Sequence, residues 1–97
     1  MYEIEFSDDA LQDLESLKKN EQNEVLDEID ASLRYEPAVE TRNRKRLRPN
    51  QTAEWELRIG QFRVFYDVYE AVKIVSIEAV GLKVGSFLHF RGKEKPL

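Results

Sequence analysis

The stretch WELRIGQFRVFYDV, from Trp55 to Val68, decides the fold, because it is typical of a tight β-hairpin with Gly60-Gln61 as a two-residue loop. The loop fixes which residues face each other, and five cross-strand pairs follow: Trp55 with Tyr66, Glu56 with Phe65, Leu57 with Val64, Arg58 with Arg63, and Ile59 with Phe62. Side chains alternate between the two faces of a strand, so one face of this hairpin is predicted to be apolar. The second face carries Arg58 and Arg63 directly opposite each other.

The two facing arginines have two interpretations. Like charges directly opposite each other weaken a sheet by roughly 0.2–1 kcal/mol, so the presence of this destabilising pair requires an explanation. Either both guanidinium groups spread into water, each near a glutamate such as Glu56, or they hold an anion such as phosphate. We favour the anion site because of the way charge is distributed along the chain.

The net charge of −4 on 97 residues conceals two halves of opposite sign. Residues 1–40 carry thirteen acidic side chains against three basic ones, a balance of −10, whereas residues 41–97 carry six against twelve, a balance of +6. Acidic surface helices are common and explain the first half alone. A basic half on an acidic protein indicates a partner that bears phosphates, or an acidic protein segment.

Composition excludes several classes of protein. A chain of this length with 41% hydrophobic residues is expected to form one domain, residues 1–97, and it has neither a signal peptide nor an apolar run long enough to span a membrane. The absence of cysteine removes disulfides, thiolate catalysis and cysteine-based zinc sites. A single histidine, His89, argues against a histidine-built metal site, so we expect no metal, no cofactor and a cytoplasmic location.

The N-terminal half is predicted to form a strand and two helices. Tyr2 to Phe6 alternates apolar with acidic residues, and Ser7 can then cap a helix that ends near Lys18-Lys19-Asn20. A second helix follows Asn20 and ends before Pro37. Each helix has one apolar stripe: Ala10, Leu11, Leu14 and Leu17 in the first; Gln22, Val25, Leu26, Ile29 and Leu33 in the second. Two such helices form an antiparallel hairpin that must cover a sheet.

The C-terminal half is predicted to supply that sheet. A basic connection, Thr41 to Gln51, precedes strands over Thr52–Ile59, Phe62–Tyr69 and Val72–Gly81, and Phe87–Phe90 is a candidate last strand before a short basic tail. The connection is a solvated loop or a charge-protected strand edge, with Leu47 as its anchor. The fold class is therefore α+β: an N-terminal strand, a helical hairpin and a three-stranded antiparallel meander, with the first strand at an edge or alongside the last meander strand.

This order of elements resembles the RelE/ParE superfamily of bacterial and archaeal toxins from type II toxin–antitoxin pairs. The resemblance covers nearly the whole chain and includes the basic stretch Lys45-Arg46-Leu47-Arg48, LRIGQFRVFYDV at Leu57–Val68 and IEAVGLK at Ile77–Lys83. It implies a small cytoplasmic protein that a cognate antitoxin neutralises. The RelE-like branch, which we favour, cleaves messenger RNA in the ribosomal decoding site, so the ribosome and mRNA are the implied further partners.

The RelE-like activity uses the RNA 2′-hydroxyl as nucleophile on the adjacent phosphate, and the resemblance assigns roles to several residues. That chemistry requires a base for the 2′-hydroxyl, positive charge at the phosphorane and a proton donor for the leaving oxygen. Arg63 matches the sheet arginine of the family, Lys83 falls where many ribonuclease members place a second arginine, and His89 lies near their C-terminal tyrosine or histidine. Arg58 would support the phosphate clamp. The remaining candidates for RNA binding are the basic residues Lys45, Arg46, Arg48 and Arg91.

Three interpretations stay open at this point. Where RelE-type members carry lysines, the chain has Glu54 and Glu56; Glu56 can act as the base, or it simply balances the arginines. Broken catalytic positions favour the ParE branch, whose members inhibit DNA gyrase through protein contacts. A third alternative is a degenerate, non-toxic module whose basic face only binds an acidic antitoxin.

Overall fold

The computed structural model describes residues 1–90 and, as backbone alone, the strand Lys93–Pro96. Along the chain the elements are β1 (Glu3–Phe6), α1 (Asp8–Glu15), α2 (Lys19–Leu33), β2 (Arg44–Arg46), β3 (Trp55–Ile59), β4 (Phe62–Tyr69), β5 (Ile74–Val84), β6 (Phe87–Phe90) and β7 (Lys93–Pro96). The fold is α+β, as predicted, with two helices packed on one side of a mostly antiparallel sheet.

The sheet has seven strands, and the predicted meander β3-β4-β5 forms its centre. Its order is β2-β3-β4-β5-β6-β7, and β1 lies alongside β5 in parallel, from Glu3 opposite Ile74 to Phe6 opposite Ile77. β6 pairs with the other end of β5, from Leu82 to Val84. The long strand β5 therefore joins the N-terminal strand to the C-terminal hairpin.

The β3–β4 hairpin has the predicted register throughout. All five pairs, from Trp55 opposite Tyr66 to Ile59 opposite Phe62, are present. Gly60 has a φ of 58°, a left-handed conformation that tight hairpin turns require and that glycine adopts without steric cost. The apolar face of the hairpin therefore lies toward the helices, as alternation predicts.

Helix α1 begins as predicted and ends earlier. The Ser7 hydroxyl accepts a hydrogen bond from the Ala10 amide at 3.1 Å, which caps the helix. The predicted end near Lys18–Asn20 is wrong: the last turn closes at Glu15, where the Ser16 hydroxyl donates to the Asp13 carbonyl at 2.6 Å. Lys18 is then the N-cap of α2, and its amide donates to the Glu21 carboxylate at 3.0 Å.

The main core lies between the helices and the sheet. Its buried residues are Tyr2, Ala10, Leu14, Val25, Ile29, Leu33, Trp55, Leu57, Ile59, Phe62, Val64, Tyr66, Val75, Ile77 and Val80. Asp13 is also buried, and its Oδ2 accepts a hydrogen bond from the Val80 amide at 2.8 Å, which fixes α1 onto β5. The Tyr66 hydroxyl donates to the Pro37 carbonyl at 2.8 Å; its burial raises the pKa of this phenol well above its usual range, against a smaller opposing effect of Arg44.

Three strand boundaries differ from the prediction. β3 begins at Trp55 rather than Thr52, and β5 runs from Ile74 to Val84 rather than from Val72 to Gly81. The basic connection contains the three-residue strand β2, which extends the sheet beside β3. This strand confirms the alternative of a strand edge protected by charge, although its charged residues leave no hydrophobic periodicity that could predict its bounds.

Candidate functional site

The side of the sheet away from the helices is called the far face here. Alternation along the strands, in the register described, assigns to it Lys45, Glu56, Arg58, Arg63, Phe65, Asp67, Tyr69, Ala79, Gly81, Lys83, Leu88 and Phe90. A second, smaller apolar cluster of Ala53, Phe65, Ala79 and Phe90 covers part of it, with Leu47 and Leu88 packed against the cluster. The remaining part of the far face is strongly basic.

Arg63 occupies the middle of the basic part. Across the sheet it pairs with Arg58 on β3 and with Gly81 on β5. Its Nη1 donates to the carbonyls of Gly60 at 2.8 Å and Phe62 at 2.9 Å. Among the residues that the structure describes, its Nε and Nη2 have no acceptor. These atoms form the fork with which arginine binds phosphate or carboxylate in two parallel hydrogen bonds.

Arg58 and Glu56 form an ion pair beside Arg63. Arg58 Nε donates to Glu56 Oε1 at 3.0 Å, and the Glu56 side chain is only 12% exposed, against 45% for Arg58. Lys45 on β2 lies directly opposite Glu56. Glu56 thus lies between two cations, an arrangement that balances charge and also holds a carboxylate close to the arginine pair.

Lys83 is the third basic residue next to Arg63. It lies two residues beyond Gly81, the cross-strand partner of Arg63, so Lys83 and Arg63 share the far face. Diagonal neighbours on adjacent strands are about 7–8 Å apart. The Lys83 amide donates to the Gln61 carbonyl at 2.7 Å, which ties this part of β5 to the hairpin loop. Arg58, Arg63 and Lys83 therefore form one cationic surface around the hairpin end.

His89 does not join this surface. The Gly85-Ser86 turn sets the β5–β6 register so that His89 faces Leu82 and Leu88 faces Lys83. Leu82 packs on the main core, and directly opposed residues share a face, so His89 lies on the helix side of the sheet. Arg91 lies outside the described residues.

The basic residues of the connection divide among three locations. Lys45 reaches the far face, whereas Arg46 pairs with Trp55 on the helix side; its guanidinium lies 5.8 Å from the indole centroid and 3.4 Å from Glu54. Arg48 is exposed in the loop after β2. Arg44, which the sequence does not single out, donates to the carbonyls of Ser32 and Val39 and has a structural role.

The ring of Phe90 is a feature that sequence reasoning missed. It lies over Gly81, where a Cβ would come within 2.9 Å of Phe90 Cε1, and its centroid is 5.7 Å from that of Phe65. The outward position of Phe65 in the predicted hairpin is the sequence signal for this cluster, because a large apolar side chain on a polar face gains free energy when another apolar side chain covers it. The ring pair forms an apolar border beside Arg63.

A cleft of about 520 Å³ at the other end of β4 was also missed. Asp67 and Tyr69 line it from the far face of β4, and the loop from Leu47 to Ala53 forms its other wall. Alternation along β4 predicts that Arg63, Phe65, Asp67 and Tyr69 share a face. The position of the loop depends on contacts that are distant in sequence, so the cleft has no local signal.

Within the described part of the chain, no group of three or more histidine or acidic side chains is arranged to hold a metal ion. None of the described helices is both long and apolar enough to cross a membrane. The charged groups on the described far face are guanidinium, ammonium and carboxylate groups.

Comparison with known proteins gives a consistent family assignment. Residues 4–82 match the sequence model of the ParE toxin of type II toxin–antitoxin systems, parDE. The toxin–antitoxin complex RelBE2 of Mycobacterium tuberculosis contains a similar chain, with 26% identity, a TM-score of 0.73, and coverage of 84% of this chain and 98% of that one. The archaeal RelE–RelB complex of Pyrococcus horikoshii contains another, with 25% identity, a TM-score of 0.66 and coverage of 81% and 91%. No curated protein sequence matches the chain.

Proposed function

Because the chain belongs to the ParE toxin family of type II toxin–antitoxin systems, within the RelE/ParE superfamily, we propose that it is a toxin that binds RNA on the far face and cleaves ribosome-bound mRNA in the cytoplasm. The observation that carries the proposal is the open fork of Arg63, flanked by Arg58 and Lys83 on one face of the sheet. Three cations around one position suit a phosphate whose charge increases during reaction.

The proposed reaction needs no group beyond those of the protein and the RNA. The 2′-hydroxyl oxygen attacks the adjacent phosphorus, its proton passes to a base, and the bond from phosphorus to the 5′-oxygen breaks as that oxygen takes up a proton. The products are a 2′,3′-cyclic phosphate and a 5′-hydroxyl end. Arg63 binds the phosphate, and Arg58 and Lys83 stabilise its negative charge.

Two proton-transfer roles are assigned by proximity. Glu56 is the carboxylate nearest in register to the arginine pair, and it is the proposed base for the 2′-hydroxyl. Lys83 carries a transferable proton on the same face and is the proposed donor to the leaving oxygen. His89 has no role in this scheme, because its register with Leu82 puts it on the helix side.

The test uses purified protein, translating ribosomes and a defined mRNA, with cleavage mapped by primer extension. Arg63→Ala should lower the cleavage rate at least about 100-fold, the usual effect of removing one charge-stabilising donor. Arg42→Ala is the matched control, because it removes an exposed arginine that lies outside the strands of the far face. Intact mRNA after incubation with the unmodified protein would rule out the ribonuclease.

Inhibition of DNA gyrase is the second candidate function. Glu56 on β3 and Glu54 just before it, together with the location of His89 on the helix side, favour it, because they weaken the ribonuclease constellation. A supercoiling assay with purified gyrase separates the two functions. Inhibition of supercoiling by the chain, with translation unaffected, would select this alternative.

We also propose that an antitoxin neutralises the chain. Both structural relatives come from toxin–antitoxin complexes. Co-expression with the product of the adjacent reading frame should give a stable complex and restore growth. If induction of the chain alone leaves growth unchanged, it is a non-toxic binding module instead.

A further inference from the structure

The cleft at the end of β4 has no role in the function proposed above. Its volume is about 520 Å³, and its walls are the far face of β4 and the loop from Leu47 to Ala53. Tyr69 is 52% exposed there, and Arg48 in the loop is exposed as well. A cavity of this size holds a ligand of a few hundred daltons.

The loop wall is organised by Asn50. Its side-chain oxygen accepts hydrogen bonds from the backbone amides of Thr52 at 2.7 Å and Ala53 at 3.0 Å. Its side-chain nitrogen donates to the backbone carbonyls of Arg48 at 2.7 Å and Ala53 at 2.8 Å. All four hydrogen-bonding positions of the side chain are used, so the loop has a defined shape. The cleft is preformed, which lowers the entropic cost of binding.

The opposite wall is also fixed. The Glu54 amide donates to Asp67 Oδ1 at 2.8 Å, which joins the end of the loop to β4. Arg46 pairs with the Glu54 carboxylate at 3.4 Å at the rim. The cleft therefore contains an aromatic ring, two carboxylates and two exposed guanidinium groups, of which Arg46 is paired with Glu54.

These groups suit a nucleotide better than an acidic peptide. A base can stack on the exposed ring of Tyr69, its amino group can donate to the carboxylate of Asp67, and its phosphate can bind the guanidinium of Arg48. Asp67 and Glu54 repel carboxylates and phosphates alike, but an acidic side chain has neither a ring that stacks on Tyr69 nor an amino group that donates to Asp67. The chemistry of the walls therefore favours RNA over the acidic segment of a protein partner.

The cleft and Arg63 lie on the same strand and the same face. Tyr69 is six residues beyond Arg63 along β4, which corresponds to roughly 20 Å at about 3.3 Å per residue. Lys45 is exposed opposite Glu56, the cross-strand partner of Phe65, and Arg48 is exposed in the wall of the cleft. One extended single strand can therefore contact both sites.

We propose that the cleft is a second binding subsite for the same RNA, in which Tyr69 stacks on a base several nucleotides away from the phosphate at Arg63. This inference rests on the proposed function, because it takes RNA at Arg63 as its starting point. It assigns Tyr69 to binding rather than to the chemical step. RNA long enough to span both sites should bind more tightly than RNA that reaches only Arg63.

The test measures binding of fluorescently labelled 2′-O-methyl RNA, which cannot be cleaved, to the purified chain at low salt. The probes are an octamer and a dinucleotide. Tyr69→Ala should weaken octamer binding about 5- to 100-fold, to the level of the dinucleotide. Tyr69→Phe retains the ring and should bind like the unmodified chain, so it serves as the matched control.

Three outcomes separate this inference from the proposed function. Unchanged octamer affinity in Tyr69→Ala overturns the subsite, and a simultaneous loss in Arg63→Ala would leave the proposed function standing. Loss in Tyr69→Ala without loss in Arg63→Ala keeps the cleft as an RNA site and removes the phosphate site. A glutamate-rich peptide that binds more tightly than the octamer, and only when Tyr69 is present, overturns the assignment to RNA.

Discussion

Arg58 and Arg63 lie directly opposite each other on β3 and β4, yet their guanidinium groups bind different acceptors. Arg58 binds the carboxylate of Glu56, whereas Arg63 folds onto the carbonyls of Gly60 and Phe62. The two charges are thereby separated without leaving the same face. The arrangement reduces the repulsion of the pair and leaves the fork of Arg63 available to an anion.

Replacing Arg63 by glutamate should give a more stable fold than replacing it by glutamine, while both substitutions remove the anion site. Both variants lose the hydrogen bonds to the Gly60 and Phe62 carbonyls, but only a carboxylate opposite Arg58 adds attraction, about 0.2–1 kcal/mol in the free energy of unfolding. Urea denaturation measures this difference, and binding of phosphate-bearing RNA, measured without urea, should be lost in both variants. An Arg63→Glu variant that is no more stable than Arg63→Gln would show that the charge at position 63 does not act on Arg58.

Gly81→Ala should destabilise the sheet through the ring of Phe90. The new methyl group would lie 2.9 Å from Phe90 Cε1, and Phe65 restricts the movement of that ring. We expect a loss of about 1–3 kcal/mol in the free energy of unfolding, measured by urea denaturation.

A double-mutant cycle supplies the control for this clash. In a Phe90→Leu background the same glycine substitution should cost clearly less, because the ring that it meets is absent. Equal costs in both backgrounds would show that Phe90 is not the obstacle.

Tyr66→Phe should lower the free energy of unfolding at neutral pH. The difference in stability between the variant and the unmodified chain should become smaller at high pH. At pH 7 the variant loses the hydrogen bond to Pro37, worth about 0.5–1.5 kcal/mol. The folded protein raises the pKa of Tyr66 above its ordinary value of 10.0, so the stability that the protonated phenol contributes is present below pH 10 and is lost above it.

The measurement is chemical denaturation of both proteins between pH 7 and pH 11. The stability of the unmodified chain should fall relative to that of Tyr66→Phe as the pH rises above about 10. Tyr35→Phe is the control, because Tyr35 is an exposed tyrosine. Parallel curves over the whole range would mean that Tyr66 ionises equally in the folded and unfolded states.

The β3–β4 hairpin could be predicted in detail because all of its determinants are local. A two-residue loop and strict alternation specify the register, and every predicted pair is present. Arg58 and Arg63 could be assigned to one face for the same reason, whereas the position of Lys83 beside them depends on the β4–β5 register. Phe65 lies on that face too, but its position alone does not identify Phe90 as its partner.

The parts that could not be predicted depend on register and on distant contacts. The β4–β5 register shifts between Phe65 and Tyr66. Phe65 pairs with Ala79 and Tyr66 with Ile77, so the register skips Glu78. A one-residue change of register exchanges the two faces of a strand, and this is why the sequence does not determine the face of His89. Strand β2 is too short and too charged to have a recognisable pattern.

The pairing of β1 with β5 sets a minimum time before the fold can be completed during synthesis. Ser7 donates to the Glu78 carbonyl across 71 residues, and the strand from Glu3 to Phe6 has its partner at Ile74–Ile77. At about 5–20 residues per second, ribosomes need several seconds to make the intervening chain. During that interval the first strand has no partner in the sheet, and the hairpin with Arg63, although made before β5, is only marginally stable by itself. The cationic surface is therefore expected to become stable only once β5 has been made.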